Sequence, residues 1–207
     1  MRNTLFLLLG LSSFAFAGEP VSSSATNVLT PEGETGGKCF NETTHIVNIG
    51  IGTGGISYFS GVAVGSFSRG PAIIATYEQA WPKKLGPGFL GVGAYLGYQR
   101  GHYKDYSSAV YYYDFNYISV AARGVYHWDV LNSDKAEVYG GVLVGFRIHS
   151  YSSNDPYPYA YAKSNEGIYP IGAAFAGARW YFAKNFALYG EAGSGVSFLT
   201  GGVSFKF

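Results

Sequence analysis

The sequence predicts an all-β fold, an eight-stranded antiparallel up-and-down transmembrane β-barrel, and three observations favour it. Segments of about ten residues alternate between apolar and polar side chains, as strands do when one face contacts lipid. The connections between these segments are alternately short and long, which is typical of up-and-down barrels. Only 13% of the residues are charged, about half the usual fraction in a soluble domain, while Gly (30), Tyr (19) and Phe (15) are abundant.

The N-terminus has the features of a secretory signal peptide over residues 1–17. Arg2 precedes the apolar run Leu5–Leu11, and Ala15-Phe16-Ala17 has the small-x-small form of a cleavage site. The apolar run is shorter than the roughly 20 residues that a membrane-spanning helix needs, and no later stretch reaches that length. If the mature protein enters a membrane, it must therefore do so as strands.

Two further regions follow the signal peptide. Residues 18–44 are rich in Ser, Thr, Gly and Glu without sustained periodicity, which predicts a flexible periplasmic segment. Residues 45–207 carry the alternating segments and are the predicted barrel. Its candidate strands are His45–Thr53, Pro71–Trp81, Gly88–Gln99, Asp114–Trp128, Lys135–Ile148, Ile168–Phe182, Phe186–Ser194 and Leu199–Phe207.

One face of these strands is apolar and the other is polar or glycine-rich, which is why each is assigned as a strand. The outward faces include, in chain order, Val47 and Ile51, Ile73 and Tyr77, Val92 and Leu96, Ile118 and Val120, Val142 and Val144, Ala174 and Ala176, and Val203 and Phe205. Short turns are predicted at Pro82–Gly86, Asp129–Asp134 and Ala183–Asn185, after the second, fourth and sixth strands. Long loops follow the odd-numbered strands. The first ends at Gly70, the second ends at about Tyr113, and the third runs from His149 to Gly167. We therefore expect the turns and both termini at the periplasmic side and the loops outside.

The last thirty residues resemble the end of small outer-membrane barrels of the OmpA/OmpX type. The resemblance is carried by Ala178-Arg179-Trp180-Tyr181-Phe182, Leu188–Gly193 and the terminal strand with its final aromatic residue. It implies a monomer in the cell outer membrane, in contact with outer-membrane lipids. It also implies that the barrel-assembly machinery reads the last strand, with Val203, Phe205 and Phe207 as the assembly signal.

Strand parity assigns seven charged residues to the barrel interior: Glu78, Arg123, Glu137, Arg147, Arg179, Glu191 and Lys206. An eight-stranded barrel is just wide enough to be filled by its own side chains. Unpaired charges there are costly, so we expect a hydrogen-bonded network, with Arg179 and Glu191 as a diagonal pair across the last tight turn. The narrow lumen favours a structural plug over a gated ion path.

Tyrosines crowd the predicted extracellular loops. Tyr106, Tyr111, Tyr112, Tyr157 and Tyr159 are candidate recognition residues, because Tyr offers amphipathic contact area at low entropic cost. For the tyrosines nearest the strands the alternative is an aromatic girdle at the lipid headgroups. The expected role is structural or in surface interaction, including adhesion, with an extracellular protein or glycan as the possible ligand.

No catalytic residue is assigned. His102, His149 and Ser150 lie near the predicted outer rim, with Asp105 and Glu166 in the same loops. Adjacent strand residues point to opposite faces, which argues against His149 and Ser150 as a working pair. An enzyme that hydrolyses or transfers acyl groups of lipid A or phospholipid stays an alternative, as does a narrow gated pore.

Other classes of site find no support in the sequence. His45 and His127 are expected to face inward as hydrogen-bond partners, and the four His and one Cys have no metal-ligand spacing, so neither metal nor cofactor is predicted. A net charge of +1 without a Lys/Arg cluster gives no case for nucleic acid binding. The single Cys39 excludes an intramolecular disulfide. A secreted lipocalin-like barrel is the fold alternative, and it would have the opposite placement of apolar and polar faces.

Overall fold

The computed structural model describes residues 39–54, 65–105, 111–129, 131, 133–155 and 166–207. In these parts of the chain no helix is long and apolar enough to cross a membrane. They form nine antiparallel β segments: β1 His45–Thr53, β2 Gly65–Arg69, β3 Ala72–Leu85, β4 Gly88–Asp105, β5 Tyr111–Trp128, β6 Ala136–Ser153, β7 Gly167–Ala183, β8 Phe186–Gly193 and β9 Leu199–Lys206.

These nine segments make eight barrel strands, because β2 and β3 run one after the other along the same side of β4. Gly70 and Pro71 separate them, since proline has no N–H to donate to the ladder. The N–H of Gly70 still donates to the carbonyl of Arg100 at 2.9 Å. The first and last strands, β1 and β9, pair with each other and close the sheet. The predicted eight-stranded antiparallel barrel is confirmed.

Several predicted boundaries are wrong, and most of the errors lie at the loop end. Only β1 has the predicted bounds. β4 ends at Asp105 and not at Gln99, β5 begins at Tyr111 and not at Asp114, and β6 ends at Ser153 and not at Ile148. Residues 65–69, predicted as loop, form β2. At the outer ends the outward side chains are polar, as Ser150 and Ser152 are on β6, so the apolar outward face stops there although the backbone ladder continues.

At the other end, β3 runs through the predicted Pro82–Gly86 turn as far as Leu85. A register shift between Ala80 and Lys84 lets the strand accommodate Pro82, as a β-bulge does. The turn itself is Gly86-Pro87, where Gly86 has φ +61°, a conformation that glycine adopts without steric cost.

The two faces of the barrel have the polarity of a membrane protein. Val144 and Phe146 are 68% and 60% exposed on the outside, whereas the charged side chain of Arg179 is 1% exposed inside. The lipocalin-like alternative required the reverse. All three Trp side chains lie outside near the turns: Trp81, Trp128 and Trp180. They form the aromatic girdle expected at a membrane interface.

The height of the apolar belt fits a bilayer. On β5 the belt runs from Trp128 near the turn to Ile118, and Asn116 and Asp114 are the next outward side chains. Ten residue steps of about 3.4 Å, tilted about 40°, give roughly 25 Å, the height of the apolar band in known barrels. The remaining residues of β5, from 117 back to 111, continue past the belt.

The strands are unequal in length. β4, β5 and β6 have 18 residues each, whereas β1, β8 and β9 have 9, 8 and 8. A membrane strand needs about 9–11 residues. The outer parts of β2, β4, β5 and β6 therefore form a sheet that projects beyond the belt at the loop end, and we call it the projecting sheet.

Candidate functional site

The interior of the barrel near the short turns holds four buried, mutually bonded charged or ionisable residues, which we call the turn-end cluster: Glu78, His127, Glu137 and Arg179. Arg179 donates to Glu137 at 2.6 Å and to Glu78 at 3.1 Å. His127 contacts Glu78 through Nε2, and its Nδ1 lies 3.4 Å from Glu137. Each buried carboxylate thus has two cationic or potentially cationic partners, which offset the cost of taking it out of water.

The register of the strands explains how these residues meet. Glu137 on β6 lies directly opposite Arg179 on β7. Glu78 comes from β3, which pairs with neither β6 nor β7, so its contact with Arg179 crosses the lumen. The cluster therefore ties opposite walls of the barrel together.

A second ion pair lies deeper in the barrel. Arg123 on β5 donates to both carboxylate oxygens of Glu191 on β8, at 2.7 and 3.3 Å. The Tyr139 hydroxyl donates to the same carboxylate at 3.0 Å. The guanidinium of Arg123 lies 4.1 Å from the ring centre of Phe175, a cation–π distance. This mid-lumen pair also joins strands that are not neighbours.

The expected pair of Arg179 with Glu191 is therefore wrong. The residue opposite Arg179 on β8 is Tyr189, and Glu191 is opposite Gly177. Arg179 binds Glu137 and Glu78 instead, because one is directly across the neighbouring ladder and the other reaches over the lumen. Diagonal spacing brought the two residues near each other but did not make them partners.

The other two expected interior bases are placed differently. Lys206 donates to the carbonyl of Cys39 at 3.1 Å and lies 4.6 Å from the ring centre of Tyr181, at the mouth of the turn end. Arg147 lies towards the loop end and is bonded to Ser119 and to the carbonyl of Gly195.

Residues 39–44, which the sequence assigned to the flexible segment, pack against the barrel. The ring of Phe40 stacks on that of His127, with centres 3.6 Å apart and planes 7° apart. Cys39 is buried, and its Sγ donates to the carbonyl of Ser133 at 2.8 Å. We call Cys39 and Phe40 the turn-end cap. The residues around Cys39 and Phe40 do not alternate between apolar and polar, so the sequence did not predict that these two side chains pack against the barrel.

Burial sets the chemistry of the cap's thiol. It raises the pKa of Cys39 to about 11, and the nearby negative charge of Glu137 acts in the same direction. A thiol with this pKa is almost wholly protonated at neutral pH and is a poor nucleophile.

At the loop end the structure separates the tyrosines by face. Tyr112 is exposed on the outside, while Tyr113 is buried inside beside Tyr103 and Phe115. Tyr111 is half-buried against the same interior group. The candidate residues Tyr106, Tyr157 and Tyr159 lie outside the described residues. The interior aromatic group was not anticipated, although the parity of β5 places Tyr113 and Phe115 inside.

The histidines form no catalytic arrangement in the described residues. His149 and Ser150 are consecutive in β6 and face opposite sides of the sheet. His102 bonds Asp114 at 2.9 Å on the outer surface. His45 also lies outside, where its Nδ1 is 2.8 Å from the hydroxyl of Tyr77, so its expected inward placement is wrong. Across the described segments no group of three or more His, Cys, Asp or Glu is placed to hold a metal.

The residues of the expected assembly signal lie on one outward face. Val203, Phe205 and Phe207 are all exposed. The Phe207 ring stacks on that of His45 at 5.6 Å, and the backbones of the two residues exchange hydrogen bonds of 3.0 Å. The role of these residues in assembly stays a prediction.

A closed antiparallel barrel of eight strands, with an apolar belt outside and charged residues inside, is an outer-membrane β-barrel of the small type. No family model matches the sequence, and no curated protein matches it either.

Solved structures share the fold. The outer membrane protein OprG of Pseudomonas aeruginosa is 9% identical, with a TM-score of 0.50 and coverage of 82% of this chain and 98% of OprG. The attachment invasion locus protein Ail of Yersinia pestis, solved with the heparin analogue sucrose octasulfate, is 15% identical, with a TM-score of 0.44 and coverage of 80% and 99%. The N-terminal β-barrel domain of P. aeruginosa OprF is 15% identical, with a TM-score of 0.39 and coverage of 81% and 98%. At these identities the likeness concerns the fold alone.

Proposed function

We propose that this protein is a non-enzymatic outer-membrane barrel with a sealed lumen, which serves in surface interaction through its loop end. The observation that carries the proposal is the projecting sheet. Strands of 18 residues are about twice as long as a bilayer requires, and most of the excess lies at the loop end. The projecting sheet offers an ordered surface outside the membrane for contact with a partner.

The interior supports a sealed lumen. Three successive layers of side chains lie along the path from the turn end: the turn-end cap, the turn-end cluster and the mid-lumen pair. The cavity beside Phe40 and His127 measures about 20 Å³, enough for a water molecule and little else. Ion flow would require these buried ion pairs to separate.

A non-enzymatic role is supported by the side chains at the rim. A hydrolase or acyltransferase needs a nucleophile, a base and an orienting acid within hydrogen-bond reach. Ser150 faces lipid or water while His149 faces the interior, so the backbone itself separates these two groups. The partners we propose are outer-membrane lipids around the belt and an extracellular protein or glycan at the loop end.

A shortened hairpin tests the surface role. Gly101 and Phe115 are already cross-strand partners, so replacing residues 102–114 by Asn-Gly joins β4 to β5 through a two-residue turn. The matched control replaces the turn Lys184-Asn185 by Asn-Gly and leaves the loop end intact. Both variants are displayed in the outer membrane of whole cells and applied to a glycan array.

We expect the wild type and the control to bind the same glycans and the shortened variant to lose them. Heat-modifiable migration in SDS gels checks that each variant has folded. The surface role is contradicted if the shortened variant binds as the wild type does. A wild type that binds no glycan on the array contradicts a glycan ligand and leaves an extracellular protein as the proposed partner.

A further inference from the structure

Arg147 is the one arginine of the described interior network that has no carboxylate partner. Its side chain is inward on β6, and the residue is 7% exposed. Nε donates to the Ser119 hydroxyl at 3.2 Å and Nη2 donates to the Gly195 carbonyl at 3.3 Å. Both partners are neutral. The Nε and Nη2 groups of Arg147 are therefore hydrogen-bonded, but the positive charge of its guanidinium has no counter-charge.

The three glutamates of the interior network already have cationic partners other than Arg147. Glu78 and Glu137 are held by Arg179, and Glu191 is held by Arg123. The described interior of the membrane-spanning strands therefore carries an excess of positive charge at this level. A buried charge without a counter-charge is costly, and a mobile anion is one way to remove that cost.

A cavity lies beside the guanidinium. It is lined by Arg69, Gln99, Tyr117, Arg147 and Val196 and measures about 10 Å³. Four of these five side chains carry N–H or O–H donors, and none is a carboxylate. This volume holds one particle of about the size of a water molecule.

We propose that this cavity binds a single monatomic inorganic anion of the size of chloride, with Arg147 as its principal ligand. The small volume favours a monatomic ion over phosphate, sulfate and the acidic groups of sugars. The charge favours an anion over a neutral water, because ionised donors bind an anion more strongly. The bound ion would compensate the charge of Arg147, as the glutamates compensate Arg123 and Arg179 nearer the turn end.

Unfolding in urea with increasing chloride tests the site. The barrel is refolded in phosphocholine vesicles, and sodium chloride is exchanged for sodium gluconate at constant ionic strength, because gluconate is too large for the cavity. For one site in the folded state, each tenfold rise in chloride above saturation raises the folded-to-unfolded ratio about tenfold. We expect this dependence in the wild type and its loss in Arg147→Gln.

The matched control is Arg100→Gln, which removes the same charge from an exposed arginine paired with Asp114 on the outer surface. It should keep the chloride dependence. Equal dependence in Arg147→Gln and the wild type overturns the proposal.

A direct measurement covers the case in which Arg147→Gln does not fold. Wild-type crystals grown with bromide in place of chloride should show an anomalous peak within hydrogen-bond distance of the Arg147 guanidinium. The absence of that peak, with the cavity occupied by water, overturns the proposal.

Discussion

At the scale of single residues, Arg179 decides whether the turn-end cluster is a stable arrangement. Its guanidinium binds Glu137 and Glu78 on two different walls and lies 4.2 Å from the ring centre of Tyr139. Without Arg179, the buried carboxylates of Glu78 and Glu137 would have only His127 as a cationic or potentially cationic partner. A buried ion pair adds little net stability, but removing one partner leaves an uncompensated charge.

Arg179→Leu should therefore lower the free energy of unfolding by about 3–5 kcal/mol. Arg100→Gln, at an exposed ion pair, should cost less than about 1 kcal/mol. Urea unfolding of both variants in lipid vesicles measures the difference. Similar small losses in the two variants would show that the cluster does not hold the walls together.

Cys39 offers a test of the turn-end cap. With a pKa of about 11 in place of 9.0, its thiolate fraction at pH 8 falls about 100-fold. We expect alkylation by iodoacetamide at pH 8 to be at least that much slower in the folded protein than in urea. Because the folded pKa is the higher one, the stability that burial of the protonated thiol contributes is complete below pH 9. It is lost as the pH rises from about 9 to about 11. Equal rates of Cys39 alkylation in the folded protein and in urea would mean that the cap is open.

The sequence identified the side of each interior charge but not its partner. Parity along a strand suffices to place Glu78 and Arg179 inside. Their contact depends on the width of the closed barrel and the stagger of its strands, which no local pattern carries. Diagonal spacing led to Glu191 as the partner of Arg179 for that reason.

At the scale of elements, the same limit explains the strand ends. Apolar alternation records contact with lipid, so it marks the belt and stops where the belt stops. On β6 the last apolar outward residue is Ile148, and Ser150 and Ser152 follow it. The ladder of β5 and β6 nevertheless continues to Tyr113 opposite Ser153, because backbone pairing does not require lipid.

Cysteine labelling locates the edge of the belt. In a Cys39→Ser background, Ser150→Cys and Val144→Cys place thiols on the same outward face of β6, one above the belt and one within it. A membrane-impermeant maleimide added to intact cells should label position 150 at least about tenfold faster, since a thiolate does not form in hydrocarbon. Equal labelling would place the membrane elsewhere or reverse the two faces.

At the scale of the whole molecule, the barrel differs between its two ends. The turn end holds the cap and the buried ion pairs, and it carries the three Trp side chains of the interface. The loop end extends into the projecting sheet, which is formed by only half of the strands. This asymmetry follows from strand length alone and connects the fold to the proposed surface role.

The central claim is that the lumen is sealed, and recording from the purified protein in a planar lipid bilayer tests it most directly. We expect insertion without sustained conductance, because ions would have to separate Arg179 from two carboxylates and Arg123 from Glu191. Heat-modifiable migration of the same preparation confirms that folded barrels are present. Steady open-channel steps from folded protein would contradict the claim and make the charged interior an ion path.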